Sequence, residues 1–117
     1  MSARKARGSA TQAIAAEWFR GHGFPFCTDA GAGRPGRDLL NLIGLAGEVK
    51  ARANLDPLGW IRQARDNAHG DLPFVLFRCN GQGPATVADW PVLLRLEDFT
   101  RLVRAAGYGD PEQEASA

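Results

Sequence analysis

Two short runs of strand-forming residues flank a single glycine: Asp38 to Ile43 (Asp-Leu-Leu-Asn-Leu-Ile) and Leu45 to Ala53 (Leu-Ala-Gly-Glu-Val-Lys-Ala-Arg-Ala), with Gly44 between them. That spacing predicts a β-hairpin. A loop of Leu42, Ile43 and Gly44 fits, because such loops want a left-handed residue, usually Gly, at the third position. The resulting register pairs Asn41 with Leu45 and Asp38 with Glu48, and directly paired residues share a face. Residues two apart on a strand also share a face, so Lys50 joins them while Val49 points into the core. A loop one residue shorter would pair Asp38 with Val49 and scatter the charges.

Like charges placed directly opposite are unfavourable without a counter-ion, which a bound metal would supply. A carboxylate able to hold a divalent cation, beside an ammonium able to orient or activate a water, suggests metal-assisted hydrolysis of a phosphodiester. Taken alone, Glu-x-Lys fits a surface strand with an ordinary ion pair better.

At 117 residues the chain is expected to form one domain with a single modest core. Its composition, 44% apolar and 23% charged, is that of an ordinary globular protein. No apolar run approaches the ~18 residues of a membrane helix. The basic start, Met1 to Arg7, is followed by no apolar signal core. A cytoplasmic protein with no membrane partner is expected. Cys27 and Cys79 have no CxxC partner, and His22 and His69 show no ligand spacing, so buried free thiols are expected. The net charge of +1 hides an asymmetry. Residues 1–52 carry eight Lys or Arg against four acids, whereas residues 53–117 carry six against nine. The positive half holds Asp38, Glu48 and Lys50, as a phosphodiester substrate would require; a charge-mixed surface gives similar counts about as often.

Residues 1–8 read as a flexible basic arm. Ser9-Ala10-Thr11-Gln12 has the form of a capping box opening a helix to about His22, with Ala10, Ala13, Ile14, Trp18 and Gly21 as its apolar stripe and Glu17 at the stripe's edge. Phe24 to Thr28 is a first strand, and Asp29 to Gly36 a loop that brings Arg34 and Arg37 near Asp38. Asp56-Pro57 starts a helix running to about His69, with Gln63 and Asn67 on one face beside Trp60. Leu72 to Cys79 reads as a central strand, Trp90 to Leu96 as a last strand, and Glu97 to Ala106 as a last helix with Phe99, Leu102 and Val103 inward. The predicted order is α-β-β-β-α-β-β-α, an α/β (α+β) domain at 9–107 followed by a disordered acidic tail at 108–117.

Over residues 9–106 the chain resembles the PD-(D/E)xK nuclease superfamily, most closely its archaeal-type Holliday junction resolvases and related phage endonucleases. The matching positions are Glu17 on the first helix, Asp38 in the Gly-x-Asp form at the second strand, Glu48 and Lys50 as Glu-x-Lys, and Gln63 on the next helix. Leu96 to Phe99 (Leu-x-Asp-Phe) is similar too. The chain departs from the pattern in having no proline before Asp38 and a short Asp-to-Glu interval.

The resemblance implies a restriction-endonuclease-like mixed sheet of about five strands flanked by helices. It implies Mg²⁺, with Mn²⁺ as a substitute, held by Asp38, Glu48, the Val49 carbonyl and Glu17. Lys50 would activate water, and Gln63 would orient it or a phosphate oxygen. Arg34, Arg37 and Arg52, with Arg4, Lys5 and Arg7 from the arm, would grip neighbouring phosphates. Junction resolution implies branched DNA as partner and a homodimer. Leu42, Ile43 and Leu45 are too apolar to sit freely in water, and are expected either to join part of the last helix in a dimer interface or to be buried under the protomer's own loops. The same residues allow three other readings. One is a DNA nuclease of the superfamily acting on ends, nicks or duplex sites. The second is a non-catalytic nucleic-acid-binding protein of this fold. The third is a small α+β interaction module in which the motif is coincidental.

Overall fold

The computed structural model describes residues 3–31 and 33–111, with side chains from Arg7 onward. The elements are α1 (Ala3–Arg20), β1 (Thr28–Asp29), β2 (Leu39–Leu40), β3 (Leu45–Lys50), α2 (Pro57–Asp66), β4 (Leu72–Phe77), a 3-10 helix (Pro84–Asp89), β5 (Val92–Leu93) and α3 (Leu96–Ala105). The predicted order therefore holds, with the 3-10 helix added. The strands form two small sheets rather than one of about five: β1 antiparallel to β2, and β3-β4-β5 with β3 parallel to β4 and β5 antiparallel.

The expected hairpin is not formed. β2 pairs with β1 (Thr28↔Leu40, Asp29↔Leu39), and β3 takes β4 as its ladder partner, placing Glu48 opposite Val75 and Lys50 opposite Phe77. Gly44 is left-handed as read, at φ 81°, but the turn is one residue tighter than expected: Leu45 N–H bonds to the Leu42 carbonyl at 3.0 Å, leaving only Ile43 and Gly44 between them. Asn41 is left-handed as well, at φ 59°. With a second left-handed residue ahead of the loop, the chain leaves β2 at an angle instead of folding straight back along it. A two-residue β2 then has too little length to build a ladder with β3.

The three-stranded sheet separates two apolar layers. On one face Val49, Phe74 and Leu76 meet Ala15 and Ala16 of α1, Leu39 and Trp90. On the other, Val75 meets Trp60 and Ala64 of α2, with Phe77 and Leu93 beside them. Gly47 permits the first contact: a Cβ there would stand 2.8 Å from the Phe74 ring and 3.1 Å from Leu39. α2 starts as predicted, with Asp56 accepting the Gly59 N–H at 3.1 Å and Pro57 in the first turn.

Four expectations for the helices and first strand are corrected. α1 begins at Ala3, so Ser9 to Gln12 lie inside it and no capping box forms; Met1 and Ser2 of the expected arm lie outside the described residues. Its buried face is Thr11, Gln12, Ala15 and Ala16, while Ala10 and Ala13 are exposed. Small side chains set that face, because they let the helix approach the sheet closely. The run Phe24 to Cys27 is a turn closed by Cys27 N–H on the Phe24 carbonyl at 3.0 Å, which suits Pro25 at its second position. On α3, Phe99 and Leu102 are exposed together with Leu96, and Asp98 is the buried residue. Leu42 is buried in the protomer's own core, Leu45 is half-buried and Ile43 is 82% exposed. Residues 112–117 of the expected tail lie outside the described residues.

Candidate active site

Asp38 reaches Glu48 without the predicted pairing. Its backbone N–H donates to the Gly47 carbonyl at 3.1 Å, and its carboxylate accepts the Val49 N–H at 2.7 Å. One residue thus satisfies two neighbouring polar groups on the edge of β3 that faces away from β4. Arg37 completes that edge, donating from Nη1 to the Leu45 carbonyl at 3.4 Å.

Glu48 projects from the α2 face of the sheet and is 1% exposed. Its Oε1 accepts from Asn67 Nδ2 at 2.9 Å. Burial pushes its pKa up from 4.5 to about 7; the Asn67 hydrogen bond opposes that, the Asp38 carboxyl adds to it, and Lys50 opposes it. Lys50 Nζ donates to Gln63 Oε1 at 2.7 Å, so α2 holds the ammonium beside the acid pair. Asp38, Glu48, Val49, Lys50, Arg52 and Gln63 line one cavity of about 430 Å³. Five of the residues read from the sequence as a site, and the flanking Arg52, are brought together here.

Glu17 is not among them. It is exposed on α1, and the helix presents Gly8 and Gln12 to the cavity instead. Five residues at about 100° each turn Glu17 roughly 140° from Gln12, nearly to the opposite face. Gln12 is 8% exposed, and its Oε1 is buried with no hydrogen-bond partner. An amide oxygen left bare in a wall shared with two carboxylates is an acceptor without a partner.

The arginines divide. Arg37 donates from Nε to the Asn67 carbonyl at 2.9 Å, from Nη1 to Asp71 at 2.7 Å, and from Nη2 to the Ala68 carbonyl, so its guanidinium ties the loop to the end of α2. Its expected role on phosphate is therefore corrected to a structural one. Arg34 is exposed and lines a neighbouring cavity with Asn67 and His69. Arg7 is half-buried, and its Nε has no partner. The side chains of Arg4 and Lys5 lie outside the described residues.

Among the described residues, no group of three or more His, Cys, Asp or Glu could hold a metal ion. The donor set is instead two carboxylates and a neutral amide oxygen. That set fits Mg²⁺, which keeps several waters and is commonly bound through one or two carboxylates plus substrate phosphates. The two residues missed in the sequence, Gln12 and Asn67, carried weak signals. Gln12 fitted a capping box, while Asn67 lies four residues after Gln63 and so on the same helical face. No helix among the described residues is long and apolar enough to cross a membrane. No known protein family, curated protein or solved structure gives a match to this chain.

Proposed function

We propose that the protein is a metal-dependent DNA endonuclease that hydrolyses phosphodiesters, with four-way junctions as its substrate. The observation that carries this reading is the shared cavity of Asp38, Glu48, Lys50 and Gln63. Asp38 and Glu48 would hold Mg²⁺, with the Val49 carbonyl on the same edge as Asp38. When bound, the metal supplies a Lewis acid for a phosphoryl oxygen and lowers the pKa of a coordinated water. Gln63 fixes the Lys50 ammonium, which carries positive charge to where negative charge builds on the phosphorus oxygens. Asn67 fixes the Glu48 carboxylate. Arg52 and Arg34 flank the cavity as phosphate contacts.

We also read the β3-β4-β5 sheet between α1 and α2 as a reduced restriction-endonuclease-like core. Two-fold cutting of a junction needs two sites, and the exposed Leu96, Phe99 and Leu102 of α3 support a homodimer. Ile43 supports it as well, whereas Leu42 belongs to the protomer core.

The two-carboxylate donor set favours one alternative, a protein that binds nucleic acid through this fold without cutting it. Incubating the full chain with Mg²⁺ and either a fixed four-way junction or the matching linear duplex separates the readings. Preferential junction cleavage supports resolution. Equal cleavage of both moves the substrate to duplex sites or ends, and binding without cleavage selects the alternative.

A further inference from the structure

A second cavity, of about 510 Å³, opens at the other end of β3, beside Gly44. Its walls include Arg65 from α2, Arg95 just before α3, Arg101 within α3, and the acids Asp71 and Asp98. Asp98 is 2% exposed and accepts from Arg95 Nε at 2.9 Å, Arg95 Nη2 at 3.3 Å and Arg101 Nη2 at 2.8 Å. A guanidinium carries five N–H donors in a rigid fork, so each arginine keeps donors beyond those bound to Asp98. The buried carboxylate therefore orients the Arg95 guanidinium through two nitrogens and tethers the more exposed Arg101 through one, at the cavity wall, before any ligand arrives.

The remaining charges add to this. Asp71 is compensated by Arg37 at 2.7 Å. The Arg65 side chain is exposed and makes no hydrogen bond or ion pair among the described residues. Glu97 stands 3.8 Å from Arg95 and 3.7 Å from Arg101 and is itself mostly exposed, so water screens its charge. No side chain caps the first N–H groups of α3. Oriented arginines with spare donors, together with a free cation, match a tetrahedral oxyanion, which accepts parallel N–H bonds at two oxygens.

We infer that this cleft is a phosphate-binding subsite, and that the phosphate belongs to the backbone of the DNA bound at the acid pair. The phosphate chemistry stands on the arginines alone; its source rests on the nuclease reading. Six residues of β3 separate Gly44 from Lys50, about 20 Å, or roughly six base pairs at 3.4 Å each. A duplex lying along β3 would reach both places.

The test uses the full chain without divalent metal, so that no cleavage occurs. Inorganic phosphate is titrated while the arginine Nε–H signals are followed by NMR, in wild type and in Arg65→Gln. The expected result is saturable shifts at Arg65, Arg95 and Arg101 in wild type and affinity about tenfold weaker in the variant. Arg65 is exposed, so the variant keeps its fold, which circular dichroism checks. In a second arm, duplex DNA binding is measured across salt concentrations, and Arg65→Gln lowers the slope of log K on log salt by about one. Shifts with phosphate but an unchanged slope keep the subsite and overturn its assignment to DNA. Absence of saturable shifts at the three arginines overturns the subsite, whatever the duplex shows. Neither arm depends on Asp38, Glu48 or cleavage, so loss of the nuclease reading is scored separately.

Discussion

The Asp38 carboxylate accepts the Val49 backbone N–H at 2.7 Å, and that single bond joins the acid pair to the edge of the central sheet. It performs the work of a missing strand, since β2 forms no ladder with β3. Asp38 therefore has a structural duty and, in the proposed mechanism, a chemical one, and substitution can separate the two. Asp38→Asn keeps an acceptor for Val49 and loses the charge, so it should melt within a few degrees of wild type and cleave at least about a hundredfold more slowly. Asp38→Ala also strands the Val49 N–H, and should cost a further 1–3 kcal/mol or so in urea unfolding.

The raised pKa of Glu48 predicts an unusual pH dependence. Its folded value, about 7, lies above the unfolded 4.5, so folding favours the protonated carboxyl. The stability this provides is complete below about 4.5 and is lost as pH rises through 7, by at most about 3 kcal/mol. Metal-free protein should melt lower at pH 8 than at pH 5.5. Glu48→Gln should flatten that slope and be the more stable of the two at pH 8. A metal ligand must be deprotonated, so Mg²⁺ affinity should rise over the same interval. Calorimetric melting of both proteins across this range is the check.

Gln12 offers a test that needs no catalysis. Its buried oxygen lacks a partner, which costs about 1–3 kcal/mol in the metal-free protein. Gln12→Leu should raise the melting temperature of the metal-free chain. It should also weaken Mn²⁺ binding, measured by titration calorimetry, by about ten- to a hundredfold. A variant less stable than wild type, binding Mn²⁺ equally well, would remove Gln12 from the site.

On α3, Leu96, Phe99 and Leu102 face solvent, although they make the helix amphipathic. If a second copy covers them, light scattering at micromolar concentration gives twice the chain mass, and Phe99→Glu with Leu102→Glu returns it to one. A single-chain mass for wild type contradicts the dimer.

Much of the site was legible from the sequence because its members sit at fixed periods. Glu48 and Lys50 share a strand face, and Gln63 lies on the helix packed across that face, so local geometry alone brings them together. Asp38 was placed correctly beside Glu48 but for the wrong reason. The sequence pattern proposed a ladder, whereas a side chain acting as a ladder bond delivers the same neighbour, a substitution that no hydrophobic period encodes. Glu17 lies off the site because close packing on the sheet selects Ala15 and Ala16 as the buried face of α1, rather than the longer Ile14 and Trp18 that the apolar pattern points to. That choice depends on the depth of the groove, a tertiary property. Arg37 was misread because its partners, Asp71 and the carbonyls of Asn67 and Ala68, are about thirty residues away in sequence.

The most direct measurement of the central claim is cleavage of a fixed four-way junction by wild type and by Glu48→Ala, each with Mg²⁺ and with EDTA. The prediction is cleavage by wild type that requires Mg²⁺, and a rate at least about a hundredfold lower for Glu48→Ala that remains folded by circular dichroism. Equal rates for the two proteins, or wild-type cleavage undiminished by EDTA, would contradict the assignment of Asp38, Glu48 and Lys50 as a metal-dependent hydrolytic site.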